Sequence, residues 1–417
     1  MVKILHFADA HIDMARSGRL DAQSGLPLRV MDFLKALDAI VDAAIQEKVD
    51  LVLFCGDAYR DRTPAPTFQR EWGKRMKRLS QAEIPTLLVV GNHDLSPAVG
   101  RAHALQEYET LEVPFIRIIS QPVLLGPQEL FGLPLQVIGL PWLTRSKLQN
   151  YFQEINESQQ ADIEPGKQMA ALLENLMETL DPNLPAILAA HASVQGAHYG
   201  NERSVMLGSD VILPLSSVRD PRLDYAALGH IHKAQDLNRG SHPPVVYPGS
   251  IERVDFGEAG DEKYFVIAQV EKGNTSLEWR RLSGRKFFDI QMELESQEKI
   301  QEQVENRLPS PSEMTDAIVR LKLLYPREWE ALIDEPSIRR HAGSAFEFHF
   351  LRQPRLQLGT DRQLATTLLG KTAIEQLDFF WKNLEMSDEE IQNLKPLAEE
   401  IMAKAESGYA AGEDTAS

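Results

Sequence analysis

Cysteine is nearly absent from this chain: its 417 residues include one, Cys55. A lone thiol closes no internal disulfide, so the sequence fits a reducing compartment. Cys55, set in an apolar run before Gly56, reads as a core residue. No apolar stretch is long enough to cross a bilayer, which removes the membrane-spanning class. The first residues run at once into a strand-like segment, so no signal peptide and a cytoplasmic location are expected. No internal repeat stands out. Basic charge is also scarce, with 44 Lys and Arg against 61 Asp and Glu and a net charge of −17. That balance weighs against nucleic acid as a partner, but such affinity follows local basic surface rather than the total.

Five short polar stretches stand out against this background: Asp9-Ala10-His11, Gly56-Asp57, Gly91-Asn92-His93-Asp94, His191, and Gly229-His230-Ile231-His232. An apolar run precedes each of them, namely Lys3–Ala8, Leu51–Cys55, Thr86–Val90, Ala186–Ala190 and Tyr225–Leu228. Such runs followed by turn residues predict buried strands. Polar groups at the ends of rigid strands are where catalytic sites are usually built. Singly, each stretch has a plainer explanation: Asp9 can cap a turn, Gly91-Asn92 is a common turn pair, and His191 could sit in the core. Five together point to one metal site.

The residue types define its chemistry. Asp, His and Asn without thiolate suit Mn, Fe, Zn or Mg rather than a structural zinc. Asp9, His11, Asp57, Asn92, His191, His230 and His232 are too many ligands for one ion and suit two. Two cations roughly 3.5–4 Å apart need an anionic bridge, which Asp57 can provide. Asn92 adds a neutral amide oxygen. His93 is then free to act as general acid toward a leaving oxygen, with Asp94 its candidate orienting partner. His6, within the first strand, reads as a packed residue, and His103 and His198 as structural.

This ordered set resembles the calcineurin-like metallophosphoesterase superfamily, with its motifs D-x-H, G-D, G-N-H-D or G-N-H-E, H and G-H-x-H. Ile4-Leu5-His6 before the first motif and Tyr247-Pro248-Gly249-Ser250 after the last resemble the SbcD-type nucleases of double-strand-break repair. The resemblance implies that one ion takes Asp9, His11, Asp57 and His232. The other would take Asp57, Asn92, His191 and His230, with His93 beside the scissile phosphate. It further implies Mn²⁺ as the activating ion, where the ligands alone also admit Mg²⁺, Fe²⁺ or Zn²⁺. Some relatives carry a second catalytic His shortly after G-D. Here the segment reads Asp57-Ala58-Tyr59-Arg60-Asp61-Arg62, so Arg60 and Arg62 are candidate phosphate contacts, and the balance of exonuclease and endonuclease action stays open.

Residues 1–283 alternate strands with amphipathic helices such as Leu28–Glu47 and Lys167–Leu180, then turn strand-rich from Tyr225. This order predicts an α/β fold with helices flanking two packed sheets, and the resemblance makes it the four-layer metallophosphoesterase sandwich. The polar segment from Leu143 to Pro165 reads as a surface excursion. Residues 284–353 follow as a small β-α-β-α-β unit, with strands Phe287–Leu294, Ala317–Leu324 and Ala345–Leu351 and crossovers suited to parallel pairing. It resembles the α/β capping domain of SbcD-type nucleases. A linker at 354–362 leads into a helical C-terminal tail, 363–404, with apolar residues Ile374, Leu377, Phe380, Trp381 and Leu384 at helical spacing. A capping box at Ser387–Glu390 opens its second helix, in which Pro396 is expected to cost about 3 kcal/mol or force a kink. Residues 405–417 are expected to be disordered. The tail resembles the segment that binds the SMC-like ATPase SbcC, and the family likeness also implies a homodimer.

Two stretches concentrate basic residues, Arg60–Arg78 and Arg339–Arg362. In the first, Phe68, Trp72, Met76 and Leu79 recur at helical spacing, so a solvated face over a core or dimer stripe explains the charge equally well. The reading is a two-metal DNA exonuclease, with endonuclease action open, serving as nuclease subunit of an SbcCD-like complex. A small-molecule phosphodiesterase or phosphatase could use the same constellation. Protein phosphatases of the superfamily usually carry G-N-H-E where this chain has Gly91-Asn92-His93-Asp94, and the full ligand set argues against a non-catalytic scaffold.

Overall fold

The computed structural model describes residues 1–15, 18–96, 101–154, 164–200, 210–355, 372–383 and 386–413. The chain divides into two compact units. The first comprises Met1–Asp289, Pro311–Arg320 and Ser344–His349; the second comprises Ile290–Ser310, Leu321–Gly343 and Phe350–Ser417.

The first unit opens with alternating strands and helices: β1 (Val2–Phe7), α1 (Leu28–Gln46), β2 (Leu51–Phe54), α2 (Pro66–Gln81), β3 (Thr86–Val89) and β4 (Ile116–Ile119). Strands β5 (Val123–Leu125), β6 (Gln136–Leu140), β7 (Ala186–His191), β8 (Ser193–Val194) and β9 (Ile212–Leu213) come next. Then follow β10 (Tyr225–Gly229), β11 (Gln235–Asp236), β12 (Val245–Tyr247), β13 (Lys263–Glu271) and β14 (Asn274–Leu282). They form two six-stranded sheets, ordered β14-β13-β1-β2-β3-β4 and β11-β12-β10-β7-β6-β5. Helical crossovers make β1 through β4 parallel, and the β13–β14 hairpin joins β1 antiparallel.

Strand alternation builds the layers. Ile4, Leu51, Leu53, Cys55, Leu87 and Val89 face Val137, Ile187, Ala189, Tyr225 and Ala227 of the other sheet in one buried cluster. Their neighbours Leu5, Phe7, Val52, Phe54 and Leu88 point the other way, onto α1 and α2. On the far side, Ile138, Leu140, Leu188, Ala190 and Leu228 pack with Met169, Leu172, Leu173 and Met177 of the Pro165–Met177 helix. The result is helices, sheet, sheet, helices, in the four layers expected, with Cys55 buried between the sheets.

Helix α2 settles the apolar stripe and most of the basic stretch on it. Phe68, Trp72, Met76 and Leu79 are buried in this unit's own core. Arg75 pairs with Glu71 at 3.1 Å and Asp38 at 2.6 Å, Arg78 with Asp38 and Asp42, and Lys74 with Glu71 at 2.8 Å. Those cations are neutralised locally, as is exposed Arg70 by Glu71 at 3.0 Å, while Arg60, Arg62 and Lys77 of the stretch are also exposed.

Beyond β14 lie β15 (Phe287–Glu293), β16 (Ile318–Pro326) and β17 (Glu347–Arg355), paired in that order. The bonds from Ile318 N to Lys286 O (2.8 Å) and from Leu294 N to Leu324 O (2.9 Å) run β15 and β16 parallel. Helices Ile300–Arg307 and Glu335–His341 form the crossovers. The expected linker lies almost wholly outside the described residues, as does the start of the tail. Two tail helices are described, Ala373–Asn383 and Asp388–Glu413. Ser387 and Glu390 form the reciprocal capping box, N to Oε2 at 2.9 Å and N to Oγ at 3.3 Å. The second helix passes through Pro396 and continues beyond Lys404 to Glu413. No helix among the described residues is long and apolar enough to cross a membrane.

Candidate metal centre

All five motifs meet at the carboxyl ends of β1, β2, β3, β7 and β10. The backbone there bends sharply: Asp9, His11, Asp57 and His230 have φ of 51°, 39°, 65° and 102°. Left-handed backbone costs on the order of 1–3 kcal/mol at each such residue and persists only where its surroundings hold it. Those surroundings are tight. A Cβ on Gly229 would stand 1.8 Å from the Cys55 carbonyl oxygen, and one on Gly91 would stand 2.1 Å from Asp57 Oδ1. Only glycine lets these loops approach so closely.

Two groups of potential ligand atoms result. Asp9, His11 and His232 form one, and Asp57, His191 and His230 the other, the atoms of each lying within 4.8 Å of one another. Asp57 sits between them, with Oδ2 3.8 Å from His11 Nε2 and 3.5 Å from His191 Nε2. Asn92 Oδ1 stands 2.9 Å from His191 Nε2 and 3.0 Å from His230 Nδ1. Every residue named from the sequence as a ligand therefore lies in this cluster.

The hydrogen bonds around the histidines test whether cations fit. His11 Nδ1 donates to the Tyr59 carbonyl at 3.3 Å, His191 Nδ1 to the Cys55 carbonyl at 2.7 Å, and His232 Nδ1 to Glu258 Oε1 at 2.8 Å. His230 Nε2 faces Asp210 Oδ2 at 3.4 Å. One nitrogen of each ring is thus turned to a protein oxygen, and the other is turned to the cluster, where a bound cation would take its lone pair. His11 Nε2 and His232 Nε2 then face each other at 3.1 Å, acceptor against acceptor. Turning the Asn92 amide would satisfy the other group but not this pair. The donor set fits divalent cations.

Protein charges point the same way. Burial, with His232 beside it, holds His11 well below the usual imidazole range, and burial lowers His230 to about 4. Both rings are neutral, as ligands must be. Burial alone would raise Asp57, but His191, His93 and His11 hold it far below the usual carboxylate range. Burial would likewise lower His191, yet Asp57 and Asp9 bring it up to about 9, so the protein alone makes His191 the counter-ion of Asp57. Burial and Asp57 raise Asp9 to about 7. A cation in the cluster inverts these preferences.

Asp94 corrects the expectation that it orients His93. Its Oδ2 accepts from Gly91 N and Asp57 N, each at 2.9 Å, and its Oδ1 from Ala58 N at 3.0 Å. A carboxylate engaged by three amides clamps two motif loops together. His93 is held instead through Nδ1 by the Arg60 carbonyl at 2.7 Å, while its amide donates to Asp57 Oδ1 at 2.8 Å. Asp13 pins that segment by accepting from Arg60 N at 2.5 Å and Asp61 N at 3.2 Å. His93 lines an open groove of about 620 Å³ with Asp13, Met14, Arg60, Asp61 and Arg62. His6 is buried between Tyr225 Oη (2.8 Å) and the Leu228 carbonyl (3.2 Å), a packed residue as expected.

Sequence reading missed several supporting side chains: Glu258, Asp210, Lys263 and Trp142, whose ring lies 4.6 Å from that of His230. One signal was legible, because Lys263 opens the apolar run Tyr264–Ala268 and a strand lysine there needs a partner.

Sequence comparison agrees with the geometry. The sequence model of the calcineurin-like phosphoesterase family matches residues 2–234, and the chain belongs to that family. The uncharacterized metallophosphoesterase YhaO of Bacillus subtilis is 26% identical over 286 residues, covering 66% of this chain and 59% of that protein. DNA double-strand break repair protein Mre11 of Archaeoglobus fulgidus is 24% identical over 315 residues, 72% of this chain and 63% of its own. The SbcCD nuclease subunit of Rhodobacter capsulatus is 27% identical over 282 residues, with 62% and 64% covered. The chain thus spans less than two thirds of each of these relatives.

Proposed function

We propose that the protein is a two-metal phosphodiesterase that cleaves DNA from its ends, with Mn²⁺ as activating ion, and serves as nuclease subunit of an SbcCD-like complex. The observation that carries this reading is the pair of ligand groups with Asp57 between them and Asn92 against His191 and His230, and with His93 beside them on an open groove. Asp9, His11, Asp57 and His232 would hold one ion, and Asp57, Asn92, His191 and His230 the other. Such ions supply Lewis-acid stabilisation of a phosphoryl group and a nucleophile at neutral pH.

The chain's own residues do the rest. His93 keeps a hydrogen on Nδ1 for the Arg60 carbonyl, so Nε2 is the atom that carries a proton to the leaving oxygen. Arg60 and Arg62 line the same groove and are suited to flanking phosphates. Asp94 keeps Asp57 in place through the backbone. The roles that Mre11 and the SbcCD nuclease bear in their names support DNA as the substrate. The cap (284–353), the SMC-like ATPase bound by the helical tail, and the homodimer follow from the family likeness. A second reading has its own support, since a groove of about 620 Å³ is the size of a small-molecule site.

Mn²⁺-dependent digestion of end-labelled duplex DNA, beside bis-p-nitrophenyl phosphate and a phosphomonoester, separates the readings. The nuclease reading expects duplex shortened from its ends by wild type. His93→Ala should lose about 10²- to 10⁴-fold in rate with Mn²⁺ binding unchanged. Intact DNA, with and without an SMC-like partner, and rapid turnover of the small diester would replace it with the second reading.

A further inference from the structure

Lys263, the first residue of β13, is 1% exposed, and Glu258 is 3% exposed. Burying an ammonium and a carboxylate is costly unless every donor and acceptor is used. Here they are used in one direction. Lys263 Nζ donates to Glu258 Oε2 at 2.6 Å, to Ser250 Oγ at 2.7 Å and to the His232 carbonyl at 3.2 Å. Glu258 Oε2 also takes Val254 N at 3.0 Å, and Glu258 Oε1 takes His232 Nδ1 at 2.8 Å.

We propose that Lys263 and Glu258 are a positioning pair for His232, which sets the affinity of the Asp9–His11–His232 group for its cation. This inference rests on the two-metal reading above. Lys263 grips His232 twice, through its backbone carbonyl and, by way of Glu258, through its ring. The pair also crosses the sandwich, because β13 belongs to one sheet and His232 follows β10 of the other. A purely structural staple between sheets needs no contact with the imidazole. Here Glu258 keeps the ring hydrogen on Nδ1 and leaves Nε2 as a lone pair 3.1 Å from His11 Nε2.

Replacing Glu258 with glutamine turns one oxygen into an NH₂ group of nearly the same size. Facing Lys263, that group opposes the ammonium; facing His232, it donates to Nδ1 and drives the ring hydrogen to Nε2, into the ligand cluster. Lys263→Met leaves the carboxylate without its countercharge and takes from the His232 carbonyl one of its two donors, the other being Ser250 N at 3.2 Å.

Full-length wild type, Glu258→Gln and Lys263→Met would be titrated with Mn²⁺ by calorimetry and by electron paramagnetic resonance. Cleavage of bis-p-nitrophenyl phosphate would be followed against Mn²⁺ concentration. The expected result is two ions on wild type. In both variants one ion should bind about 10- to 100-fold more weakly, the other should be unchanged, and kcat should be restored at raised Mn²⁺. Variants that melt earlier yet bind both ions as wild type does would overturn the proposal, as would equal loss of both ions. Wild type that binds fewer than two Mn²⁺ would instead overturn the two-metal reading, and that is seen before any variant is compared.

Discussion

The strand-end cluster and the C-terminal tail are built in opposite ways. In the cluster, Asp9, His11, Asp57 and His191 are each at most 2% exposed, and their bonds join residues far apart in sequence, such as His230 N to Asp9. In the tail, Phe380, Leu397 and Ile401 are 42%, 56% and 61% exposed, and polar contacts such as Ser387 with Glu390, Asp378 with Lys382 and, between the two helices, Asp378 with Lys395 stay within the tail. Bonds between distant strand ends can hold left-handed backbone and opposed lone pairs in place, whereas contacts within and between two neighbouring helices hold only those helices. The first region is thus built for fixed geometry, and the second leaves apolar side chains uncovered.

The strongest way to break this contrast is to remove the carboxylate shared by both ligand groups. Asp57→Asn should weaken both Mn²⁺ sites and lower diester cleavage by more than about a hundredfold, since it changes a ligand rather than a ligand's neighbour. Calorimetry that still finds two tight ions would mean that the groups do not act as a unit. Next in size is Gly229→Ala, whose Cβ meets the Cys55 carbonyl at 1.8 Å. It should cost about 3 kcal/mol or more, read from urea unfolding, because backbone cannot move aside as a side chain can. An unchanged midpoint would show that the loops are slack.

Acid should loosen the body before it touches the tail. Burial lowers His6 to about 3, against a carbonyl contact from Leu228 that raises it, while the unfolded chain titrates near 6.5. Between those values the unfolded state binds the proton and the folded state does not. Stability from this residue is complete above pH 6.5 and is lost as pH falls toward 3. Urea midpoints across pH 4–7 should decline toward acid, less steeply in His6→Leu; equal slopes would assign the decline to other groups. The smallest effect is expected in the tail, where Leu397→Ser with Ile401→Ser should change stability by no more than about 0.5 kcal/mol. The same variant should leave bis-p-nitrophenyl phosphate turnover intact and lose capture of an SMC-like partner. A large drop in stability would instead place those residues in a packed core.

What the sequence alone determined is local in origin. Apolar runs ended by Gly, Asp, Asn and His announced the five strand ends to within a residue or two, because strand burial and turn chemistry are written in neighbouring positions. The same locality made the Ser387–Glu390 capping box legible. What only the tertiary structure decided depends on partners distant in the chain. Asp94 stands next to His93 in sequence, but the fold turns it to the amides of Gly91, Asp57 and Ala58. Lys74, Arg75 and Arg78 read as a basic surface until α2 packed them beside Glu71, Asp38 and Asp42. Glu258 and Lys263 carry no motif, and their bearing on His232 arises only where two sheets close on each other. A side chain's type is set by its codon, but its hydrogen-bond partner is set by which distant strand the fold lays against it.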